Sequence, residues 1–169
     1  MSGHRIGPRT PRLDHRALVV ADAPAFFALN SHPEVMRWTG EPPLASLEEA
    51  RRAIEQYADF DTVGFGRWGC VLRSSGEVIG FCGLKRLPEL NCVDVGFRFL
   101  PAYWGQGLAT EACAASITYG FQVLGLERIV GLVLPGNGAS VRVLEKCGAK
   151  AKGTVQYEGH EALIFESVP

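Results

Sequence analysis

Pro101-Ala102-Tyr103-Trp104-Gly105-Gln106-Gly107-Leu108-Ala109-Thr110 joins two segments of different hydrophobic period. Upstream, Cys92 to Leu100 is rich in Val and Phe and reads as a strand. Downstream, Glu111 to Leu124 is apolar at helical spacing and stops at Gly125. The order is therefore strand, glycine loop, helix. The first N–H groups of a helix lack intrahelical partners and carry partial positive charge, so such a loop suits an anion. Gly105 and Gly107 would let a phosphate approach the backbone; the other use of the same turn is a tight connection without a ligand. The loop lacks both the GxGxxG of a dinucleotide fold and the Lys-Ser/Thr ending of a P-loop, which argues against hydride transfer and NTP hydrolysis.

Outward from the loop, Trp68 to Arg73, the turn Ser74-Ser75-Gly76-Glu77 and Val78 to Lys85 read as an antiparallel hairpin that the Cys92 strand extends into a meander. Nearer the N-terminus, Ala17 to Val20 reads as a strand, and Asp22 with Pro24 opens a helix. Ser46-Leu47-Glu48-Glu49 fits a capping box for a helix to about Asp59. Past the loop helix come a strand at Arg128 to Leu134, the turn Pro135-Gly136-Asn137-Gly138 and a helix from Ala139 to Cys147, closed by Gly148. Two strands near Ala151 to Tyr157 and Glu161 to Ser167 complete the chain. The expected class is α/β, with a mixed, mostly antiparallel sheet of about seven strands flanked by about four helices.

The 169 residues fit one domain over 10–169, with 1–9 as a frayed lead-in. The opening MSGHRIGPRTPR has no apolar h-region, so a cytoplasmic protein is expected. No apolar run suits a membrane span, and 17 Lys plus Arg against 18 Asp plus Glu give no global reason to expect nucleic acid. The five cysteines Cys70, Cys82, Cys92, Cys113 and Cys147 are widely spaced without Cys-x-x-Cys pairing and read as reduced, mostly buried thiols. The four histidines lack HExxH spacing, so no metal is expected. Met36, Trp38, Phe65 and Trp68 suit a core, or the lining of a groove.

Trp104-Gly105-Gln106-Gly107-Leu108-Ala109 resembles the Arg/Gln-x-x-Gly-x-Gly/Ala signature of the GCN5-related N-acetyltransferase (GNAT) superfamily at Gly107 and Ala109, with Trp104 where Arg or Gln is commoner. Thr110-Glu111-Ala112 is similar to the ribosomal-protein N-terminal acetyltransferase branch. So are Thr10-Pro11-Arg12-Leu13, Asp22-Ala23 and Pro33-Glu34-Val35-Met36. Asn137-Gly138-Ala139-Ser140 with Lys146-Cys147-Gly148-Ala149 resembles the family's Asn-x-x-Ser/Ala…Lys-x-Gly-Phe helix at the same 11-residue interval from Asn to Gly.

The resemblance implies an acetyl-CoA-dependent N-acetyltransferase of GNAT fold. Its acceptor would be a primary amine, on a protein N-terminus or a small molecule, attacking directly in a ternary complex of a monomer or homodimer. It further implies that the backbone of Gln106, Gly107, Leu108, Ala109 and Thr110 holds the CoA pyrophosphate, and that the strand end at Phe99 and Leu100 pairs with the pantetheine amides. Asn137 would hold the pantetheine arm, or else cap the following helix. The reaction needs a free amine, a donor to the oxyanion and a proton for the thiolate. Asp94, two before Gly96, stands where many relatives carry a Glu base, and Glu158 near the last turn is its rival. Many relatives use a Tyr acid seven residues after the Asn; here that position is Leu144. The ribosomal-type branch places a Ser three after the Asn, which here is Ser140. Without that Tyr, a catalytically silent acyl-CoA-binding module is the alternative.

Overall fold

The computed structural model describes residues 3–169. The elements in chain order are β1 (Ile6–Arg9), β2 (Leu13–Arg16), α1 (Ala23–Ser31), α2 (Pro33–Met36), α3 (Leu47–Gln56), α4 (Asp59–Thr62), β3 (Arg67–Leu72) and β4 (Val78–Leu87). After these come β5 (Cys92–Phe99), α5 (Leu108–Gln122), β6 (Ile129–Val133), α6 (Gly138–Lys146), β7 (Lys150–Tyr157) and β8 (His160–Ser167). One sheet runs β1-β2-β3-β4-β5-β6-β8-β7. Every neighbouring pair is antiparallel except β5–β6. The mixed, mostly antiparallel α/β sheet is as expected, with eight strands instead of about seven.

The extra strand corrects the reading of residues 1–9 as a frayed lead-in, of which Met1 and Ser2 lie outside the described residues. Ile6–Arg9 pairs with β2 through Ile6↔Arg16 and Arg9↔Asp14. An edge strand tolerates Pro8, and Gly7 leaves room for the Trp68 indole, which a Cβ would meet at 2.6 Å. Neither feature produces a visible alternation. The strand expected at Ala17 to Val20 lies four residues earlier, because the alternating buried positions are Leu13 and His15. The helix expected to reach Asp59 ends at Gln56. Tyr57 is extended there, and its hydroxyl accepts from Arg67 N–H at 2.8 Å.

The core forms where strand alternation meets helix stripes. Cys82 and Leu84 of β4 and Val93 and Val95 of β5 face Ala112, Cys113 and Ile117 of α5, all buried. Gly120 lets α5 settle close to the sheet, since a Cβ there would stand 2.6 Å from Ile129 Cδ1. Phe81, one residue from Cys82 and so on the opposite face, packs with Leu29, Val35 and Met36 of α1 and α2. Helices thus cover both faces. The ends of β5 and β6 remain between them.

Candidate active site

β5 and β6 share one register pair, Asp94↔Val130, and beyond it run on unpaired with each other to Phe99 and Val133. Leu100 N–H donates to the Ile79 carbonyl at 2.9 Å. Since an antiparallel ladder alternates, Arg98 and Gly96 also turn their backbone groups to β4, while Phe97 and Phe99 turn theirs to the β6 side. The split therefore exposes peptide donors and acceptors to a cleft of about 800 Å³. One of them is already occupied: the Trp104 indole Nε1–H donates to the Phe99 carbonyl at 2.7 Å.

Asp94, Phe99, Gly107, Leu108, Ala109, Thr110, Asn137, Ser140 and Glu158 border this one cleft. Leu100 and Gln106 do not: Leu100 packs with the α1–α2 cluster, and the Gln106 carbonyl turns to Arg12. Gly105 and Gly107 take φ of 75° and 78°, in the left-handed region that glycine favours. The first bond of α5 runs from Glu111 N–H to the Gly107 carbonyl at 3.0 Å, which leaves the N–H groups of Leu108, Ala109 and Thr110 without intrahelical partners.

Across the cleft, Asn137 caps α6. Its Oδ1 accepts from Ser140 N–H at 3.3 Å, and its Nδ2 donates to Ser140 Oγ at 3.0 Å. The Ser140 hydroxyl therefore keeps its own proton free to donate elsewhere. Leu144 packs over Gly131 and borders the cleft, but its hydrocarbon side chain has no proton to donate there.

The two carboxylates offered as the base differ in setting. Asp94 is buried and accepts from Arg67 Nη2 at 3.1 Å; Arg67 Nη1 donates to the Gly83 carbonyl at 2.9 Å. Glu158 is exposed at the β7–β8 turn, with φ of 48° beside Gly159 at 80°. Tyr157 pairs with His160, so Glu158 and Gly159 form a two-residue hairpin turn, and positive φ at both central residues is what such a turn requires. Among the described residues Glu158 has no ion-pair partner. Burial, and then the neighbouring Glu158 carboxylate, push the Tyr157 phenol up to about 12.

The segment after α2 reaches the β6–α6 turn and the start of β8. Trp38 lies against Gly136, where a Cβ would stand 3.2 Å from its ring, and Gly40 lies against the His160 imidazole, which a Cβ would meet at 3.0 Å. Met36, Phe65 and Trp68 are core, whereas Trp38 borders the cleft. Cys70, Cys82, Cys92 and Cys113 are buried, and burial pushes the Cys82 thiol up to about 12. Cys147 Sγ–H donates to the Thr110 carbonyl at 3.7 Å and does not border the cleft. Among the described residues no His, Cys, Asp and Glu side chains group as a metal site, and no helix is long and apolar enough to cross a membrane. Arg67 and Tyr157 are additions that sequence reading missed, whereas Trp38, read there as core or groove lining, takes the second place. Each reaches the cleft from an element whose placement no local motif announces.

Residues 12–150 match the model of the acetyltransferase (GNAT) domain. The chain is 35% identical over 149 residues to the uncharacterised N-acetyltransferase YoaA of Bacillus subtilis (strain 168), covering 87% of this chain and 84% of that one. It superposes on a GNAT-family acetyltransferase from Bacillus anthracis with a TM-score of 0.81 at 22% identity, over 95% and 96% of the two chains. It also superposes on RimL, a ribosomal L7/L12 alpha-N-protein acetyltransferase in complex with coenzyme A, with a TM-score of 0.80 at 18% identity, over 96% and 97%.

Proposed function

The chain belongs to the GNAT acetyltransferase family and is an N-acetyltransferase, and we propose that it moves the acetyl group of acetyl-CoA to a primary amine, on a protein N-terminus or a small molecule, by direct attack in a ternary complex. The observation that carries this reading is the β5–β6 split, which leads from the free N–H groups of α5 to Ser140 and Glu158 on the cleft walls.

The residues suit the donor. The N–H groups of Leu108, Ala109 and Thr110 with the Gly105–Gly107 turn form a cradle for a pyrophosphate. The Phe97 backbone and the Phe99 N–H, which face away from β4, offer a strand edge to the pantetheine amides. Asn137 holds Ser140 in place through two hydrogen bonds and borders the same channel.

Glu158 is assigned as the base, directly or through one water, because Asp94 is already engaged by Arg67. Glu158 takes a proton from the acceptor ammonium, and the freed lone pair forms the C–N bond at the thioester carbonyl. As the C–S bond breaks, Ser140 Oγ–H gives its proton to the leaving thiolate, and the second proton lost from the attacking nitrogen, passed through water, restores the Ser140 hydroxyl. No cysteine forms an acyl intermediate, in keeping with thiols that lie outside the cleft or are raised by burial.

The test is release of free thiol from acetyl-CoA by the purified chain with a panel of peptide N-termini and small amines. Amine-dependent release with a mass gain of one acetyl group on the acceptor supports the reading. No turnover with any amine, under conditions where acetyl-CoA binds, would contradict it.

A further inference from the structure

Arg12 lies in the turn between β1 and β2, 94 residues from the loop it touches. Its Nη1 donates to the Gln106 carbonyl at 2.8 Å and its Nε to Glu111 Oε1 at 2.9 Å. The Arg12 backbone N–H at 3.0 Å and Thr10 Oγ at 2.6 Å share Glu111 Oε2. The turn itself is held from behind, because Arg73 Nη1 donates to the Thr10 carbonyl at 2.9 Å and the Pro11 carbonyl at 3.1 Å.

Two physical consequences follow for an anion on this loop. A trans peptide is planar, with its C=O and N–H on opposite sides. Anchoring the Gln106 carbonyl to Arg12 therefore turns the Gly107 N–H the other way, and Gly107 borders the cleft whereas Gln106 does not. Glu111, moreover, is a carboxylate in the first turn of the helix whose N-terminus would receive the anion. Uncompensated, it would repel a pyrophosphate; Arg12 at 2.9 Å offsets that charge.

We propose that Arg12 is a positioning residue for the acyl donor, orienting the Gln106–Gly107 peptide and neutralising Glu111 so that the loop accepts a pyrophosphate. This rests on reading the loop as the donor's pyrophosphate cradle. The role touches neither the thioester nor the amine. It therefore concerns the part of the donor that carries phosphate.

The experiment compares acetyl-CoA with S-acetylpantetheine, a donor without pyrophosphate, in wild type, Arg12→Ala and Arg12→Lys. Arg12→Ala is expected to raise KM for acetyl-CoA by about tenfold, the worth of one charge-assisted interaction. Its kcat and acceptor KM, and its kcat/KM with S-acetylpantetheine, are expected to hold within about twofold on the same grounds. Arg12→Lys, which keeps the charge but not the fork, should fall between wild type and alanine. It carries the same comparison should the alanine variant not fold. Equal losses with both donors would show plain bracing of the N-terminal hairpin and overturn the inference, as would no change with acetyl-CoA. Failure of wild type to bind acetyl-CoA is seen without any variant; it would remove the underlying reading of the loop and this inference with it.

Discussion

Arg67 Nη2 donates to Asp94 Oδ1 at 3.1 Å on the wall of the cleft, and the guanidinium lies so close to Gly96 that a Cβ there would stand 2.5 Å from Arg67 Cζ. Both side chains are largely enclosed, at 21% and 10% exposure, so each is the other's compensation for lost hydration. Arg67→Met should destabilise the fold by on the order of 3 kcal/mol, because it strands a buried carboxylate. The double variant Arg67→Met/Asp94→Leu should recover most of that loss. Urea unfolding measures both; additive losses in the double variant would show that the pair is not the source.

The engagement of Asp94 separates the two candidate bases. Glu158→Gln should lower kcat by about two orders of magnitude with little change in KM for acetyl-CoA. Asp94→Asn should act mainly through stability. The pairwise kinetic comparison decides, and an Asp94→Asn loss in kcat larger than that of Glu158→Gln would reverse the assignment.

Asn137 and Ser140 are expected to part company in the same assay. Ser140→Ala removes the proton for the thiolate and should reduce kcat on the order of 10²-fold, less for donors with better leaving thiols. Asn137→Ala removes the α6 cap and should lower stability by about 1 kcal/mol. A Ser140→Ala enzyme with wild-type kcat would rule the hydroxyl out as the acid.

Buried His15 sets part of the acid sensitivity. Its ring donates from Nδ1 to the Pro8 carbonyl at 2.7 Å, and Nε2 is buried without a partner. Burial, outweighing that hydrogen bond, holds its pKa below 6.5. The unfolded chain therefore takes up a proton near 6.5 that the folded chain refuses. Stability is then complete above that pH and falls as pH drops below it. Glu111 acts lower down: against the upward push of burial, hydrogen bonds from Thr10 and Arg12 hold it below 4.5, and its contribution is lost as pH falls through that lowered value. Thermal melts from pH 7.5 to 5 should show a falling Tm whose slope shrinks in His15→Leu. An unchanged slope would exclude His15 as its source.

Much of this architecture is legible in the residues themselves. Ser46 accepts from Glu49 N–H at 3.1 Å, as a cap at that spacing should, and the helices after Gly107 and Asn137 begin within three residues of their expected starts. Local capping and turn chemistry act over a few residues and leave a readable pattern. β1 escapes because Gly7 and Pro8 mask its alternation. The Arg12–Glu111 and Arg67–Asp94 pairs escape because separations of 99 and 27 residues are closed by sheet topology alone. Trp38 is ambiguous for the same reason: whether an aromatic faces core or cleft depends on what the other wall presents, here Gly136.

Isothermal titration of acetyl-CoA into wild type and into Gly107→Trp bears most directly on the donor site. Gly107 takes φ of 78° at the start of α5, where a bulky side chain is strained, and a Cβ there would stand 3.5 Å from Arg12 Nη2, so tryptophan is expected to distort the loop that presents the free N–H groups. Wild type is expected to bind acetyl-CoA saturably, one per chain, and Gly107→Trp, with an unchanged circular dichroism spectrum, to bind none. Absence of binding to wild type, or equal binding by the variant, would contradict the assignment of this loop to the donor.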